Sequence, residues 1–227
     1  MISHKYRCIF VHIPKTGGTS IEDIIWPERE LRSERDLWMG FVDKYNNKYQ
    51  TGGLQHLLAS HIESEVGTNV FDNYFKFSIV RNPWDKAVSQ FAFMSRRKDL
   101  MDYIGMKHDD CFKRYLELIS KKKHVQWEPQ VSFVLDDNGE CMVDYIGRLE
   151  LFTQSVTVIM SRLGLDAAVI PHSNKGQRSA YQDYYDTEAK EFVHAMYADD
   201  VKTFGYDYAQ QCVLSDVPAV LRKRSIR

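Results

Sequence analysis

The chain has 227 residues, of which 44% are hydrophobic, so it can bury a core without disulfides or structural metals. Its 30 basic and 31 acidic side chains almost balance, which argues against a nucleic-acid binder held by a basic surface. The four cysteines are far apart and have no paired spacing, so neither a disulfide framework nor a zinc site is indicated.

The sequence contains neither a secretory leader nor an apolar run of membrane-spanning length. We therefore expect a cytoplasmic protein without a transmembrane segment. No repeat or low-complexity linker divides the chain, which predicts a single domain over residues 1–227. Its core would cover about residues 7–208, with a basic tail over residues 209–227.

The first predicted strand covers residues 8–13, an apolar and β-branched run that ends at Pro14. A helix opens near Ile21, after a turn that contains two glycines. Residues 27–53 are polar and aromatic without a clear period, which predicts an excursion over the surface.

A helix and a second core strand follow. The helix is predicted over residues 57–66, where Gly67 is well placed to end it, and the strand over residues 74–80. Pro83 then stands where a helix favours its first residue, and this helix is expected to run to about Arg97.

The second half of the chain predicts two more helices and a hairpin. Residues 109–122 carry an apolar stripe at helical spacing, as do residues 151–163. Between them, residues 131–135 and 141–146 flank Asp137-Asn-Gly139, which is a strong hairpin signal.

A polar loop over residues 171–185 precedes the last helix, which Asp186 caps and which runs to about Thr203. Strands that alternate with helices along the chain are typical of a largely parallel sheet covered by helices. The sequence therefore predicts an α/β fold.

The turn after the first strand has the composition of an anion site. It reads Lys15-Thr-Gly-Gly-Thr-Ser20, between a strand and a helix N-terminus. Such a turn presents backbone N–H groups at the positive end of a helix dipole, and glycines let an anion approach the backbone. Because Lys15 precedes the glycines, the turn is not the P-loop pattern of nucleoside triphosphatases. A phosphate is the expected ligand.

A second strand end repeats this design. Arg81 follows the second core strand, and Ser89 lies four residues beyond Asp85 on the helix that begins there. Ligands of α/β sheets bind at the carboxyl ends of the strands, so Arg81 and Ser89 predict a second phosphate site beside the first. A structural ion pair between Arg81 and Asp85 is the alternative.

Both stretches resemble one family. His12-Ile-Pro-Lys-Thr-Gly-Gly-Thr-Ser20 resembles the 5′-phosphosulfate loop of sulfotransferases that use 3′-phosphoadenosine 5′-phosphosulfate (PAPS). Val80-Arg-Asn-Pro-Trp-Asp85, together with Ser89, resembles their 3′-phosphate motif.

Three further segments are similar to the carbohydrate sulfotransferase branch that has bacterial members. They are Gly147-Arg-Leu-Glu150, the loop over residues 174–185 and Phe204-Gly-Tyr206. The resemblance thus spans residues 8–208, and its two phosphate motifs in this order are highly specific.

The resemblance implies a P-loop-like three-layer fold in which helices flank a mostly parallel central sheet. It implies that the residues at the 5′-phosphosulfate are Lys15, Thr16, Gly17, Gly18, Thr19 and Ser20. At the 3′-phosphate it implies Arg81 and Ser89, with Arg178 closing over that group. The acceptor would be a hydroxyl of a carbohydrate or glycoconjugate, such as a glycan or glycolipid.

One departure concerns the acceptor side. Many bacterial relatives have His-Ala-Thr at the start of the helix before the second core strand, whereas this chain has His56-Leu-Leu. The spacing of His56 is kept, but the neighbouring polar residue is lost.

The chemistry of sulfuryl transfer assigns two catalytic roles. Lys15 is placed to neutralise the leaving 5′-phosphate oxygen, and the small charge of a sulfuryl group makes a metal ion unnecessary. An alcohol acceptor must also lose its proton, for which histidine is the natural base. His56 is the first candidate and His61 the fallback.

Two other functions stay open. An ATP-dependent small-molecule kinase of P-loop type would need a lysine after the glycines and an acidic magnesium ligand, and neither is evident. A non-catalytic nucleotide-binding module is the second alternative. The basic stretch over residues 221–227 has an anionic membrane surface or glycan as a candidate contact. The acceptor, which residues 27–53 and 98–127 are expected to select, and the oligomeric state are left open.

Overall fold

A computed structural model describes residues 1–25, 56–166 and 179–209 of the chain. Its centre is a four-stranded sheet in the order β1-β2-β3-β4. The strands are β1 (Ile2–Ser3), β2 (Cys8–Val11), β3 (Phe75–Val80) and β4 (Tyr145–Arg148). Strand β1 pairs with β2 in the antiparallel sense, whereas β2, β3 and β4 are parallel. The predicted α/β fold with a mostly parallel sheet is confirmed.

Helices lie on both faces of this sheet, as the burial of β2 illustrates. Ile9 and Val11 pack into the larger hydrophobic cluster, whereas Cys8 and Phe10 pack into a smaller cluster on the other face. This period of two is what a strand imposes when both of its faces are covered. The fold therefore has three layers.

Two helices cover the smaller cluster, α1 (Gly18–Ile25) and α8 (Phe152–Leu163). The helices of the larger cluster are α2 (Ala59–Val66), α3 (Thr68–Asn73), α4 (Pro83–Met94), α5 (Lys98–Ile104), α6 (Phe112–Ile119), α7 (Val131–Val134), α9 (Thr187–Met196) and α10 (Ala198–Phe204). Short 3₁₀ helices cover Val125–Trp127, Leu149–Leu151 and Tyr181–Tyr184. No helix of the described residues is long and apolar enough to cross a bilayer, and the cytoplasmic location stays a prediction.

Helix α4 begins as predicted but ends early. Asn82 accepts hydrogen bonds from the N–H groups of Trp84 and Asp85, at 3.0 and 3.4 Å, and Pro83 is the first helical residue. The helix ends at Met94, where a tight turn leads into α5, a helix that the sequence did not predict.

The predicted hairpin is wrong in its first strand. Residues 131–134 form helix α7, because the carboxylate of Asp200 accepts the N–H groups of Gln130 and Val131 at 2.9 and 2.8 Å. The turn itself is present, and a single antiparallel bridge joins Leu135 to Cys141. The chain then enters β4, which pairs with β3 rather than with the preceding segment.

The last predicted helix is present but divided. Asp186 accepts the N–H of Ala189 at 2.7 Å, which confirms the predicted cap. Tyr197 interrupts the helix between α9 and α10, and its hydroxyl donates to the carbonyl of Trp127 at 3.0 Å. The tail from residue 210 onward lies outside the described residues, so the division into a single domain and a tail stays a prediction.

Candidate active site

Two turns meet at one edge of the sheet. The turn after β2 contains Lys15, and the turn after β3 contains Arg81. Because β2 and β3 are neighbouring parallel strands, their carboxyl ends lie side by side. This is the edge at which α/β sheets bind ligands.

The first turn has an unusual backbone conformation at two residues. Lys15 has φ of +66° and Gly17 has φ of +85°, both in the left-handed region. A non-glycine residue in this region costs about 1–2 kcal/mol, so the surrounding contacts must hold Lys15 there. One support is Thr16, which is fully buried and donates its hydroxyl to the carbonyl of Ile13 at 2.9 Å.

Both glycines of the turn are required by packing beneath it. A Cβ atom on Gly17 would lie 2.7 Å from Cδ1 of Leu149, and one on Gly18 would lie 1.9 Å from Nε2 of His12. The sequence suggested that the glycines leave room for an anion above the backbone. The close approach of these side chains is an additional reason for glycine, and the room for an anion stays a prediction.

Helix α1 begins at Gly18, at the end of this turn. The N–H of Ser20 donates to the carbonyl of Gly17 at 3.1 Å, and Ser20 is half-buried. Thr19 is exposed. The turn therefore leads into the positive end of a helix dipole, as predicted.

The side chain of Lys15 extends toward α4. Its ammonium group lies 4.3 Å from the ring centre of Phe93, a cation–π distance, and the side chain is half-buried. Lys15 therefore reaches from the first turn to α4, the helix that follows the second turn.

Arg81 connects the two turns directly. Its Nη1 donates to the carbonyl oxygen of Lys15 at 2.9 Å, and its Nε and Nη2 contact Oδ2 of Asp85 at 2.8 and 2.7 Å. The ion pair that the sequence left as an alternative is therefore present. Since the same guanidinium also holds the Lys15 carbonyl, the pair fixes one turn against the other.

The main chain at Arg81 is clamped by an amide side chain. Gln130 accepts the N–H of Arg81 at 2.9 Å and donates to its carbonyl at 2.8 Å. Asp200 in turn accepts the backbone N–H of Gln130. Neither Gln130 nor Asp200 could be predicted from the motif, because both residues are far from it along the chain.

Ser89 lies on the face of α4 that points to the two turns. Asp85 stands four residues before it and contacts Arg81, and Phe93 stands four residues after it and contacts Lys15. Residues four apart share one face of a helix, so half-buried Ser89 lies between these two contacts. The convergence of Arg81 and Ser89 on one phosphate stays a prediction.

His56 is buried beside the first turn. Its Nδ1 lies 3.0 Å from the carbonyl oxygen of His12. A carbonyl can only accept, so Nδ1 carries the hydrogen and the neutral ring keeps a lone pair on Nε2. Burial lowers the pKa of His56 well below 6.5, and the charges of His12 and Lys15 add to this effect, so the ring is neutral at pH 7.

The remaining predicted site residues are His61 and Arg178. His61 is half-buried in α2, more than one turn along the chain from His56. Arg178, which was expected to close over the 3′-phosphate, lies outside the described residues. Within residues 1–25, 56–166 and 179–209 there is no group of His, Cys, Asp and Glu arranged to hold a metal ion.

Glu150 connects the remaining similar segments to the second turn. Its carboxylate accepts the N–H of Asn82 at 2.6 Å and the hydroxyl of Tyr206 at 3.1 Å. Asn82 also donates to the carbonyl of Asp207 at 3.0 Å. Burial raises the pKa of Glu150. Sequence alone grouped Glu150 and Tyr206 only through their resemblance, and the structure shows that Glu150 joins Tyr206 to the turn before α4.

The chain belongs to the sulfotransferase family, whose sequence profile matches residues 1–207.

Among the relatives, Carbohydrate sulfotransferase 10 of Xenopus laevis is 22% identical over 244 residues, which cover 90% of this chain and 66% of that protein. An uncharacterized protein of Archaeoglobus fulgidus is 27% identical over 104 residues, or 46% of this chain and 79% of that protein. The chain thus spans just under two thirds of the first relative.

Two solved structures are similar to the chain. A sulfotransferase from Alicyclobacillus acidocaldarius has a TM-score of 0.39 and 17% identity, over 66% of this chain and 60% of that one. A mouse sulfotransferase complexed with PAP has a TM-score of 0.42 and 16% identity, over 89% of this chain and 69% of that one.

Proposed function

We propose that this protein transfers the sulfuryl group of PAPS to a hydroxyl group of a carbohydrate or glycoconjugate. The observation that carries the proposal is the contact between Arg81 and the Lys15 carbonyl, because it joins both predicted phosphate motifs at one sheet edge. Membership of the sulfotransferase family supports the reaction type. The name of the Xenopus relative, together with the resemblance of three segments to the carbohydrate branch, supports the acceptor class.

The proposed ligand has two separate phosphate groups. We expect Lys15 and the start of α1 to hold one of them with positive charge and N–H groups, and Arg81 with Ser89 to hold the other. Asp85 brings one negative charge to this edge, and Arg81 holds it at 2.7 Å. Arg178 would complete the set from the segment before residue 179.

PAPS, when bound, supplies a sulfuryl group joined to a phosphate that can leave. In the proposed reaction, Lys15 stabilises the charge that grows on the leaving phosphate oxygen. Nε2 of His56 takes the proton of the acceptor hydroxyl, since the bond to the His12 carbonyl leaves its lone pair on that atom. The sulfur–oxygen bond to the phosphate breaks as the bond to the acceptor oxygen forms. No metal ion is expected in this scheme.

Thermal shift measurements test the nucleotide. Adenosine 3′,5′-bisphosphate at about 100 times its dissociation constant should stabilise the fold by about 2.7 kcal/mol. For a chain of this size, that corresponds to a melting shift on the order of 5–10 °C. We expect the shift in the presence of a chelator. A shift that requires magnesium and ATP would instead support the kinase alternative.

Turnover tests the reaction and the acceptor. PAPS is incubated with panels of glycans, glycolipids and simple alcohols, and the release of adenosine 3′,5′-bisphosphate is followed with mass spectrometry of the acceptors. Sulfated carbohydrate is the expected product. Binding of the bisphosphate without turnover on any hydroxyl acceptor would favour the non-catalytic nucleotide-binding module.

A further inference from the structure

A buried carboxylate–imidazole pair lies directly beneath the first turn. Nδ1 of His12 and Oε1 of Glu22 are 2.8 Å apart, and both side chains are almost fully buried, at 7% and 6% exposure. The contact is an ion pair when the His12 ring is protonated. Glu22 comes from α1 and His12 from the segment after β2, so the pair joins the two elements that the turn connects.

The ring of His12 has little freedom to move. It stacks on Phe10 with ring centres 5.1 Å apart and planes at 16°. A Cβ atom added to Gly18 would lie only 1.9 Å from the Nε2 atom of this ring. The ring is therefore fixed from three sides, by Phe10, Glu22 and the backbone of Gly18.

His12 also contacts His56 in two ways. The ring centres are 4.6 Å apart with planes at 65°, and the carbonyl oxygen of His12 accepts the Nδ1–H of His56 at 3.0 Å. The side chain and the main chain of His12 thus act on the same imidazole.

We infer that Glu22 and His12 form a positioning pair for His56, which holds its ring in one tautomer and keeps it unprotonated in mildly acidic conditions. The inference rests on the proposed function in one respect, namely that His56 is the base. It adds Glu22 and His12 as residues that act through His56 without contacting the acceptor.

The electrostatics of the cluster support this arrangement. Burial is the largest cause of the lowered pKa of His56, and the charges of the His12 ring, the amino group of Met1 and Lys15 lower it further. A positive charge on the His12 ring, which the Glu22 carboxylate at 2.8 Å would stabilise, disfavours a proton on His56. A base with a lower pKa is weaker, but it stays available at more acidic pH.

The test compares Glu22→Gln with His12→Asn. Glu22→Gln keeps the shape of the side chain and removes the carboxylate that stabilises the His12 cation. His12→Asn keeps an N–H donor near Glu22 and removes the imidazole. Asp23→Asn, which removes a carboxylate from the same turn of α1, is the matched control. Since the two test variants perturb the fold differently, either one that folds is sufficient.

The primary readout is the titration of the His56 imidazole, followed by ¹⁵N NMR and assigned with a His56→Asn sample. We expect His56 to titrate on the order of one pH unit higher in Glu22→Gln and His12→Asn than in the wild type or Asp23→Asn. In turnover assays, the acid limb of kcat/KM should move upward by the same amount.

An unchanged or lower titration of His56 in either variant that folds would overturn the inference, whatever happens to turnover. Because the NMR titration needs no substrate, it separates this inference from the proposed function. A shifted titration in a protein that never turns over PAPS would leave the electrostatic role of the pair intact and count against the function. A lower rate with an unmoved titration would show that the pair is only structural.

Discussion

The guanidinium of Arg81 donates a hydrogen bond of 2.9 Å to the backbone carbonyl of Lys15. These residues belong to different turns and lie 66 positions apart along the chain. The contact supports Lys15 in its left-handed conformation, with φ of +66°. Arg81 therefore has a structural task at the first turn in addition to its predicted contact with the 3′-phosphate.

Because Arg81 has both of these roles, substitutions at Arg81 and at Ser89 should affect ligand affinity differently. We expect Ser89→Ala to weaken binding of adenosine 3′,5′-bisphosphate by about 1.5–3 kcal/mol, the usual size of a hydrogen bond to a charged group. Adenosine 5′-phosphosulfate lacks the 3′-phosphate, so its affinity should not change. Arg81→Ala should weaken both ligands, because the Lys15 carbonyl loses its donor. Calorimetric titration of both ligands measures the difference.

Arg81→Lys serves as the matched control, because it keeps the positive charge but cannot contact Asp85 and the Lys15 carbonyl together. It should recover part of the bisphosphate affinity. If Ser89→Ala weakens the binding of both ligands by the same factor, as is expected for Arg81→Ala, Ser89 acts on the fold and not on the 3′-phosphate.

Lys15→Ala is expected to act on the rate more than on binding. The charge of Lys15 matters most when the leaving oxygen becomes negative, so the loss should fall on kcat, by about 10²–10³. Lys15→Met is a useful second variant, since it retains the apolar chain that lies against Phe93. Steady-state kinetics with varied PAPS make the comparison. A near-normal kcat with a raised KM would make Lys15 a binding residue only.

Local sequence signals predicted the core of the fold well. The apolar runs before Pro14 and Arg81 are strands, and Asn82 with Pro83 begins the predicted helix. The error at residues 131–135 has a long-range cause. Asp200, some seventy residues away in the sequence, caps that segment as a helix, and no local pattern contains this information.

The sequence predicted the motifs of the site, but it did not predict the residues that hold those motifs in place. Lys15 and Arg81 follow strands that the sequence identified, so their placement at one edge could be deduced. The roles of Glu22 and Gln130 could not, because a glutamate within a helix and a glutamine in a loop are usually solvent-facing. Their contacts depend on the packing of α1 and α7, which only the folded chain defines.

Gly18→Ala tests whether packing below the turn demands glycine. The new Cβ would stand 1.9 Å from Nε2 of His12, and that ring is held by Phe10 and Glu22. Overpacking of this kind typically costs about 1–3 kcal/mol. Urea unfolding should therefore show a destabilised Gly18→Ala protein and a Thr19→Ala control close to the wild type, because Thr19 is exposed.

A double-mutant cycle identifies the collision. In a His12→Ala background the ring is absent, so Gly18→Ala should cost less than it does in the wild type. Equal costs in the two backgrounds would mean that the requirement for glycine comes from another source.

The free energy of unfolding should fall in acid, because buried histidines are neutral in the folded protein. Burial lowers the pKa of His124 to about 4, and its Nδ1 accepts the N–H of Gln126 at 3.1 Å. The folded pKa lies below the unfolded value of 6.5, so this stabilisation is complete above pH 6.5 and is lost as the pH falls toward 4. His56 contributes in the same direction. The free energy of unfolding should fall by about 1.4 kcal/mol per pH unit for each such histidine.

His124→Asn isolates one of these contributions. An asparagine oxygen can replace Nδ1 as the acceptor for Gln126, but it does not titrate. Urea unfolding between pH 7 and pH 4.5 should therefore show a shallower loss of stability in this variant. His108→Asn at an exposed position should leave the wild-type slope unchanged. A slope in His124→Asn as steep as that of the wild type would show that His124 is not neutral in the fold.

His56→Asn is the most direct test of the proposed base. Asparagine can keep an N–H donor toward the His12 carbonyl, but it has no atom that replaces the lone pair of Nε2. Loss of a general base typically costs about 10²–10⁴ in rate, whereas affinity for the bisphosphate should be preserved.

Because the pKa of His56 is lowered, the wild-type rate should hold below pH 6.5 and fall only as the pH reaches the native pKa. This acid limb should be absent in His56→Asn, and His61→Asn should keep both the rate and the limb. If His61→Asn is the inactive variant and His56→Asn retains activity, the base is His61, and the change from His-Ala-Thr to His56-Leu-Leu marks where the assignment failed.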